Sequence, residues 1–510
     1  MGLVLRSTLQ VGARVSSSRH VVRRCHVTAT SAGSASAEPQ LPPCDYQPPP
    51  YQGPPMSELL RIRKAHVSPA LFTLYSSPLL LHAGHRQYLF DHQGRRYLDL
   101  FAGIVTTGLG HCHPKVIEAA THQMKTLWHT SNVYFNPTIH QYSQALVDTL
   151  PGNLKNVYLV NSGSEANDLA LLMARLHTGR FDVVSLRNGY HGASPYTMGL
   201  TGSSKWKYQL PNGFGIHHVT NPDPYRGLWG GYRDSPVQSV RAGEGKVLDD
   251  GVTCTSSSKY LVQLQELLDY SVPQGKPAAF FAESIQGVGA TVQYPLGYLK
   301  KAFELIRDRG GLCVSDEVQT GFGRTGEHFW GFEGHGVVPD IVTMAKGIGN
   351  GYPLAAVVTT PEIASTLSKA LHFNTYGGNA LGSAVGLAVL KTMLEENVQK
   401  RSHEVGTKFL LELGKLRDEF GSVGDVRGKG LMIGMELVEN QSTHEPMNPK
   451  RFMEILEHCR DMGLLLGKGG FHGNSFRIKP PMCITEDDVK FAVAVLRVAL
   501  TADKQRQQQQ

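Results

Sequence analysis

The sequence predicts an α/β protein, a mostly parallel sheet covered by helices and joined to a smaller α+β lobe. Between about residues 156 and 370, short apolar runs alternate with segments of helical periodicity, the pattern of parallel strands linked by crossover helices. Beyond about residue 373 the pattern changes to long helices with a strand at residues 431–437 and a short strand-like segment around Arg477. With 510 residues, 41% hydrophobic and 18% charged, the chain can bury an extensive core in more than one lobe.

The leader differs from the rest. It carries Arg6, Arg14, Arg19, Arg23 and Arg24 among Ser, Ala, Val and Leu, and its first acidic residue is Glu38. This arginine-rich, acid-poor composition is that of a mitochondrial transit peptide, expected over residues 1–41 with the start of a linker; the alternative is a basic tail without an address. Much of the formal net charge of +7 falls in this leader, so it does not point to nucleic acid. The proline-rich stretch 39–55 reads as a linker without regular structure.

The body begins near Ser57. Residues 86–91 and 95–100 alternate in hydrophobicity around His92-Gln93-Gly94, which predicts a hairpin. Pro114 suits the first turn of a helix in which Ile117, Ala120, Met124 and Leu127 recur at helical spacing. The run Asn156–Val160 precedes a helix with Leu169, Leu172, Met173 and Leu176 on one face. Residues 221–259, rich in Gly, Pro, Ser and Asp, read as a long surface excursion. The run 278–283 precedes a helix with Leu299, Ala302, Phe303 and Ile306, and further apolar runs lie at 311–318 and 339–346. The last helix is expected to start at Thr485 with Asp488 three residues on, and the glutamine tail 507–510 to fray. No apolar stretch approaches the length of a membrane span, and seven scattered cysteines suit a reducing compartment.

Lys346 is the most informative residue. It follows an apolar run and precedes Gly347-Ile348-Gly349-Asn350-Gly351, which puts an amine at the end of a buried strand where burial depresses its pKa. Asp316 and Glu317 end another such run and should project to opposite faces; the plain reading of either is a solvated acid at a strand end. Asn161-Ser162-Gly163-Ser164-Glu165-Ala166-Asn167-Asp168 lies between a strand and a helix, where Ser162 and Glu165 have capping-box spacing and free N–H groups favour an anion such as phosphate. A cap alone explains that segment equally well. Gly347, Gly349 and Gly351 fail as a dinucleotide fingerprint, because the spacing is wrong and Pro353 follows. His111-Cys112-His113 lacks the further ligands zinc needs, so no metal is expected. Tyr190-His191-Gly192 offers an aromatic face or a base, and Arg477 either a carboxylate clamp or a surface arginine.

Together, and in this order along the body, these motifs resemble the class III aminotransferases that use pyridoxal 5'-phosphate, a family of PLP fold type I. Asp316 to Gly326 followed by Ala345-Lys346-Gly347 resembles that family's cofactor signature. The resemblance implies a segment 57–110 contributing to the small domain, a large cofactor-binding domain over 111–372 and a small domain over 373–505. It implies that Lys346 forms the Schiff base and carries the substrate proton, that Asp316 pairs with the pyridine nitrogen, and that Gly163 and Ser164 hold the phosphate. Tyr190 would stack on the ring, with His191 beside it, and Gln319 would approach the phenolic oxygen. Thr375 matches a threonine that reaches the phosphate of the partner subunit, so a homodimer or higher homo-oligomer is implied.

For the substrate, Arg477 matches the family arginine that grips the α-carboxylate, and Glu283 an acid that can neutralise it. Ornithine and γ-aminobutyrate members carry a second arginine after the Tyr/Phe-x-Gly triplet, where this chain has Ala193, and ornithine members a tyrosine where it has Ile104. Both departures point to small monocarboxylic partners: L-alanine as donor and glyoxylate as acceptor in the mitochondrial matrix, with β-aminoisobutyrate or methylated arginines as further donors. An ω-amino-acid:pyruvate aminotransferase and a phospholyase on the same scaffold are the alternatives.

Overall fold

Seven strands form the central sheet, in the order Asn156–Val160, Ala355–Thr359, Ile341–Met344, Leu312–Asp316, Ala279–Glu283, Val183–Leu186, Ile216–Val219. All run in one direction except Ala355–Thr359, which is antiparallel to both neighbours. The strands Ala279–Glu283, Ile341–Met344 and Ala355–Thr359 are buried throughout, as expected of a sheet covered on both faces. The computed structural model describes residues 38–251 and 253–509. Residues 39–510 make one contact unit, and the leader expected at 1–41 lies almost wholly outside the described residues.

Two helices cover the sheet where periodicity placed them, whereas in Pro114–Thr126 the expected face is not a core face: Ile117, Met124 and Leu127 are exposed and Val116 and Gln123 are buried instead. In Tyr298–Asp308 the four expected residues Leu299, Ala302, Phe303 and Ile306 are all buried. In Gly163–Thr178 the buried residues are Ala166, Asn167, Leu169, Ala170, Leu171, Met173 and Ala174, so of the expected face Leu169 and Met173 are buried, Leu172 is half-buried and Leu176 is exposed. A second sheet runs Val423–Lys429, Met432–Asn440, Ser475–Ile478, Gly467–Gly469, between the helices Val398–Glu419, Pro449–Asp461 and Glu486–Gln508. The last helix has the expected capping box at Thr485 and Asp488 and stays helical through Gln508, beyond the expected point of fraying. The hairpin is Tyr88–Asp91 with Arg96–Asp99, turned at Gly94 with φ 80°, and it gains Leu81–His85 and Leu464–Leu465 as outer strands.

Two segments are better anchored than their composition suggests. The linker has no helix or strand before Met56, yet Leu41, Cys44 and Tyr46 pack against the core, with Tyr46 stacked on His85 at 4.6 Å. The excursion ends where the helix Thr255–Ser271 begins, and a buried ion pair pins it: Arg233 donates to both carboxylate oxygens of Asp425 at 2.8 and 3.0 Å.

Candidate active site

The carboxyl ends of adjacent parallel strands bring the expected residues together. In-register pairing sets Glu283 beside Asp316 and Asp316 beside Thr343, and Lys346 follows two residues after Ile341–Met344. The loop carrying Tyr190 and His191 follows Val183–Leu186, and Gly163 opens the helix after Asn156–Val160. Ligands of open α/β sheets bind at such strand ends.

Asp316 is buried and held from three directions. Its Oδ2 accepts from Asn167 Nδ2 at 2.8 Å and meets His191 Nδ1 at 2.9 Å, and its Oδ1 accepts from the Val318 amide at 3.1 Å. Asn167 is fixed in turn, because Thr343 Oγ1 donates to its Oδ1 and its Nδ2 also donates to the His191 carbonyl. Burial pulls the His191 pKa down, but the hydrogen bond and charge of Asp316, with Glu283, outweigh it and raise the net value. Glu317, by contrast, is no solvated acid. It is buried in a separate network, accepting from Ser284, Ser315, Thr320 and the amides of Gly331 and Phe332.

Lys346 is half-buried, with φ 56°, and its amine has no hydrogen bond or ion pair among the described residues. Desolvation lowers its pKa to about 8; Asp316 and Glu283 oppose that and Arg477 adds to it, which sets all three within electrostatic reach. At the start of the helix Gly163–Thr178, the N–H groups of Gly163 and Ser164 have no intrahelical acceptor. Ser162 Oγ accepts from the Glu165 amide at 3.2 Å, while the Glu165 carboxylate reaches the Asn161 amide at 2.8 Å, one residue earlier than in a standard capping box. Gly192, with φ 133°, passes so close that an added Cβ would lie 2.7 Å from Ser164 Oγ, and the Ala193 amide donates to that hydroxyl at 3.2 Å. A free amine, a fixed carboxylate and a helix start with open N–H groups are what pyridoxal phosphate needs for its aldehyde, ring nitrogen and phosphate. The residues fit the group.

Next to this lies a cationic cluster. Arg477 and Lys479, both buried, donate to the same atom, Gln319 Oε1, at 3.0 and 3.2 Å. Lys479 also donates to the Gly287 carbonyl at 3.0 Å, and the Gly287 amide donates to Glu283 Oε2 at 2.6 Å. Arg477 lies over the Phe101 ring at 5.2 Å, and its Nε has no partner. Among the described residues Glu283 and Arg477 form no ion pair; the Glu283 carboxylate accepts only the amides of Tyr190 and Gly287, and burial raises its pKa. Desolvation lowers Arg477 to about 10 and takes Lys479 well below its ordinary value, helped by the charge of Arg477. The Tyr190 ring meets Trp206 edge-on at 5.2 Å. Ile104 is exposed in a left-handed turn, φ 67°, followed by Val105 at φ 68°, a strained conformation for β-branched residues.

Thr375 is the expected residue that stands apart. It is exposed on a loop whose Asn374 bonds to Asn161 at 3.1 Å and to Glu165 at 3.2 Å. Three residues of the site were not singled out from sequence: Asn167, Lys479 and Phe101. Lys479 had a signal, since it lies two residues past Arg477 and so repeats on the same strand face. His111 and His113 go separate ways, to Asp99 and Glu396, each at 2.8 Å.

The family described as aminotransferase class-III matches residues 75–500. Alanine–glyoxylate aminotransferase 2, mitochondrial, of Homo sapiens is 53% identical over 482 residues, covering 94% of this chain and 93% of that protein. Among solved structures, a phospholyase from Arthrobacter in complex with phosphoethanolamine is 30% identical, with TM-score 0.76, covering 87% of this chain and 99% of the other. An (S)-enantioselective ω-transaminase from Thermomicrobium roseum is also 30% identical, with TM-score 0.77, covering 89% of this chain and 100% of the other.

Proposed function

The chain belongs to the class III aminotransferases, and on that premise we propose that it moves an amino group from L-alanine to glyoxylate, giving pyruvate and glycine in a ping-pong exchange. One observation carries this reading: an amine of lowered pKa, an acid held by two side chains and a buried arginine lie within electrostatic reach of one another. The name of the human relative supports the substrate pair.

Family membership implies pyridoxal phosphate as cofactor. When bound, it supplies an electron sink for the pair left on the substrate carbon after proton removal. Gly163 and Ser164 are the residues to hold its phosphate, with Thr375 contributed across a homodimer, and Tyr190 to stack on its ring. Asp316 keeps the proton on the ring nitrogen, and His191 and Asn167 keep Asp316 in place. Lys346 is the covalent anchor and, once displaced by the substrate amine, the base that takes the proton from the substrate Cα; a pKa near 8 leaves a usable neutral fraction at physiological pH.

Arg477 binds the substrate carboxylate, which replaces Gln319 Oε1 as its acceptor. Glu283 modulates that receptor through space, being near enough to act on its charge without pairing. The exposed, uncharged Ala193 offers no second carboxylate clamp, in keeping with monocarboxylic partners. β-Aminoisobutyrate and methylated arginines are further donors under this reading.

The dimer reading draws support from exposed apolar residues in two stretches, Leu127, Trp128, Tyr134 and Phe135 (95% exposed) and then Phe373 and Tyr376, joined by the His129 and Tyr376 rings at 5.3 Å. The large-domain and small-domain boundaries at 111–372 and 373–505, and a matrix location for the mature enzyme, belong to the same reading; the human and Arabidopsis thaliana relatives are named mitochondrial.

Purified holoprotein given L-alanine and glyoxylate should yield equimolar pyruvate and glycine. No turnover of that pair, together with inorganic phosphate released from phosphoethanolamine, would make the chain a phospholyase instead.

A further inference from the structure

Beside the catalytic pocket lies a cavity of about 380 Å³, lined by Arg187, Asn188, Asn221, Arg226, Arg427 and Ser475 among others. No residue assigned to the cofactor or substrate lines it. It borders the catalytic pocket through the chain: Asn188 is two residues before Tyr190, and Ser475 two before Arg477 in the strand Ser475–Ile478.

Three features of this cavity lack a structural explanation. First, three of its polar atoms are buried without a partner: Ser475 Oγ, Arg226 Nη2 and Asn221 Oδ1. Ser475 is almost wholly buried, and an unpartnered buried polar group is costly enough to require a reason. Second, strained backbone collects at its rim. Asn188 has φ 65° and Ala290 φ 76°, with the buried Thr291 next at φ 60°, and such outliers cluster at binding sites.

Third, its charge is unbalanced. Of the lining acids, Glu436 is engaged by Arg226 and Arg427, and Asp223 takes the amides of Tyr225 and Arg226 on Oδ1 at 2.8 and 3.1 Å, with Arg427 as its opposing charge. Arg427 is further paired with Asp425. That leaves the Arg187 guanidinium, which has no hydrogen bond or ion pair among the described residues, and the free arm of Arg226. A cationic cavity with a spare guanidinium, a half-used one and a buried hydroxyl is complementary to an oxyanion.

We propose that this cavity is a second ligand site, taking a small metabolite through its carboxylate or phosphate group. Arg187 and Arg226 Nη2 supply the charge and Ser475 Oγ a hydrogen bond. The volume suits a small polar molecule. The site stands independently of which substrates the catalytic pocket takes.

The test titrates inorganic phosphate and, separately, succinate into the holoenzyme by calorimetry, with Arg187→Gln and Ser475→Ala beside the parent chain. Arg187 is exposed, so its replacement leaves the core untouched, and Ser475→Ala removes only an unpartnered hydroxyl. Saturable binding of either probe is expected, weakened about tenfold or more by Arg187→Gln and several-fold by Ser475→Ala, with kcat and KM for the amino donor unchanged. Preference for phosphate assigns the natural ligand to phosphate esters, and preference for succinate to carboxylates. No saturable binding of either probe, or binding that both variants retain at parental affinity, would overturn the proposal.

Discussion

Asp316 takes hydrogen bonds from Asn167, His191 and the Val318 amide, each on a different element, whereas a few residues away Arg477 and Lys479 compete for one amide oxygen of Gln319. At the first end the acid is fully determined before any ligand arrives. At the second, a buried guanidinium is under-supplied beside a buried amine: Arg477 Nε has no acceptor among the described residues, and Glu283 gives its carboxylate oxygens to backbone amides. The contrast suits two tasks. A resident cofactor needs fixed partners, while a receptor that binds and releases carboxylates at each half-reaction needs a cation whose resting partner is weak and neutral, as an amide is.

Changes at the two ends should therefore have different signatures, and the largest are expected at the first. Lys346→Ala should lower turnover by about 10⁴-fold or more and abolish covalent cofactor attachment while leaving the melting temperature of the apoprotein near parental, read by steady-state rates and thermal denaturation. Asp316→Ala should slow proton transfer by roughly 10²–10⁴-fold in single-turnover experiments, with substrate KM changed far less. A near-normal single-turnover rate would remove Asp316 from its role.

At the second end, Arg477→Gln should act mainly on KM, raising it for both alanine and glyoxylate by about 10²-fold, since a charged hydrogen-bonding partner of the carboxylate is lost. Equal loss in kcat would erase the distinction between the ends. Lys479→Met keeps the length of the side chain and removes a costly buried amine, so it should change KM only several-fold. The lysine of the first end also has a pH signature. Attachment of pyridoxal phosphate to the apoprotein requires neutral Lys346, whose pKa is about 8, so the rate should fall about tenfold per pH unit below 8 and level off above it. A pH-independent rate between 6 and 8 would refute the lowered pKa.

The first end was also the more legible in sequence. Parallel strands deliver their last residues to one edge, so apolar runs ending in Asp316 and Lys346 put an acid and an amine at that edge, while Glu283 was marked only by the family resemblance. The supports of those residues were hidden. Asn167 sits in a segment that reads as a helix cap, and its bond to Asp316 spans 149 residues of sequence. The second end depends on a different sheet: Arg477 and Lys479 reach Gln319 across 158 and 160 residues, and no local pattern encodes that meeting. The antiparallel strand Ala355–Thr359 escaped for a similar reason, since an apolar run does not disclose its direction. The plain reading of Glu317 as a solvated acid failed because only Ser315 and Thr320 of its five donors are local, while the amides of Gly331 and Phe332 lie 14 and 15 residues on and Ser284 33 residues back.

Both ends hold a buried or half-buried lysine with a lowered pKa, so the division of labour rests on which amine takes the cofactor. Borohydride reduction of the holoenzyme, proteolysis and mass spectrometry of the peptides decide it. The account predicts a phosphopyridoxyl group on Lys346 and an unmodified Lys479; the group on Lys479, or on neither, would contradict it.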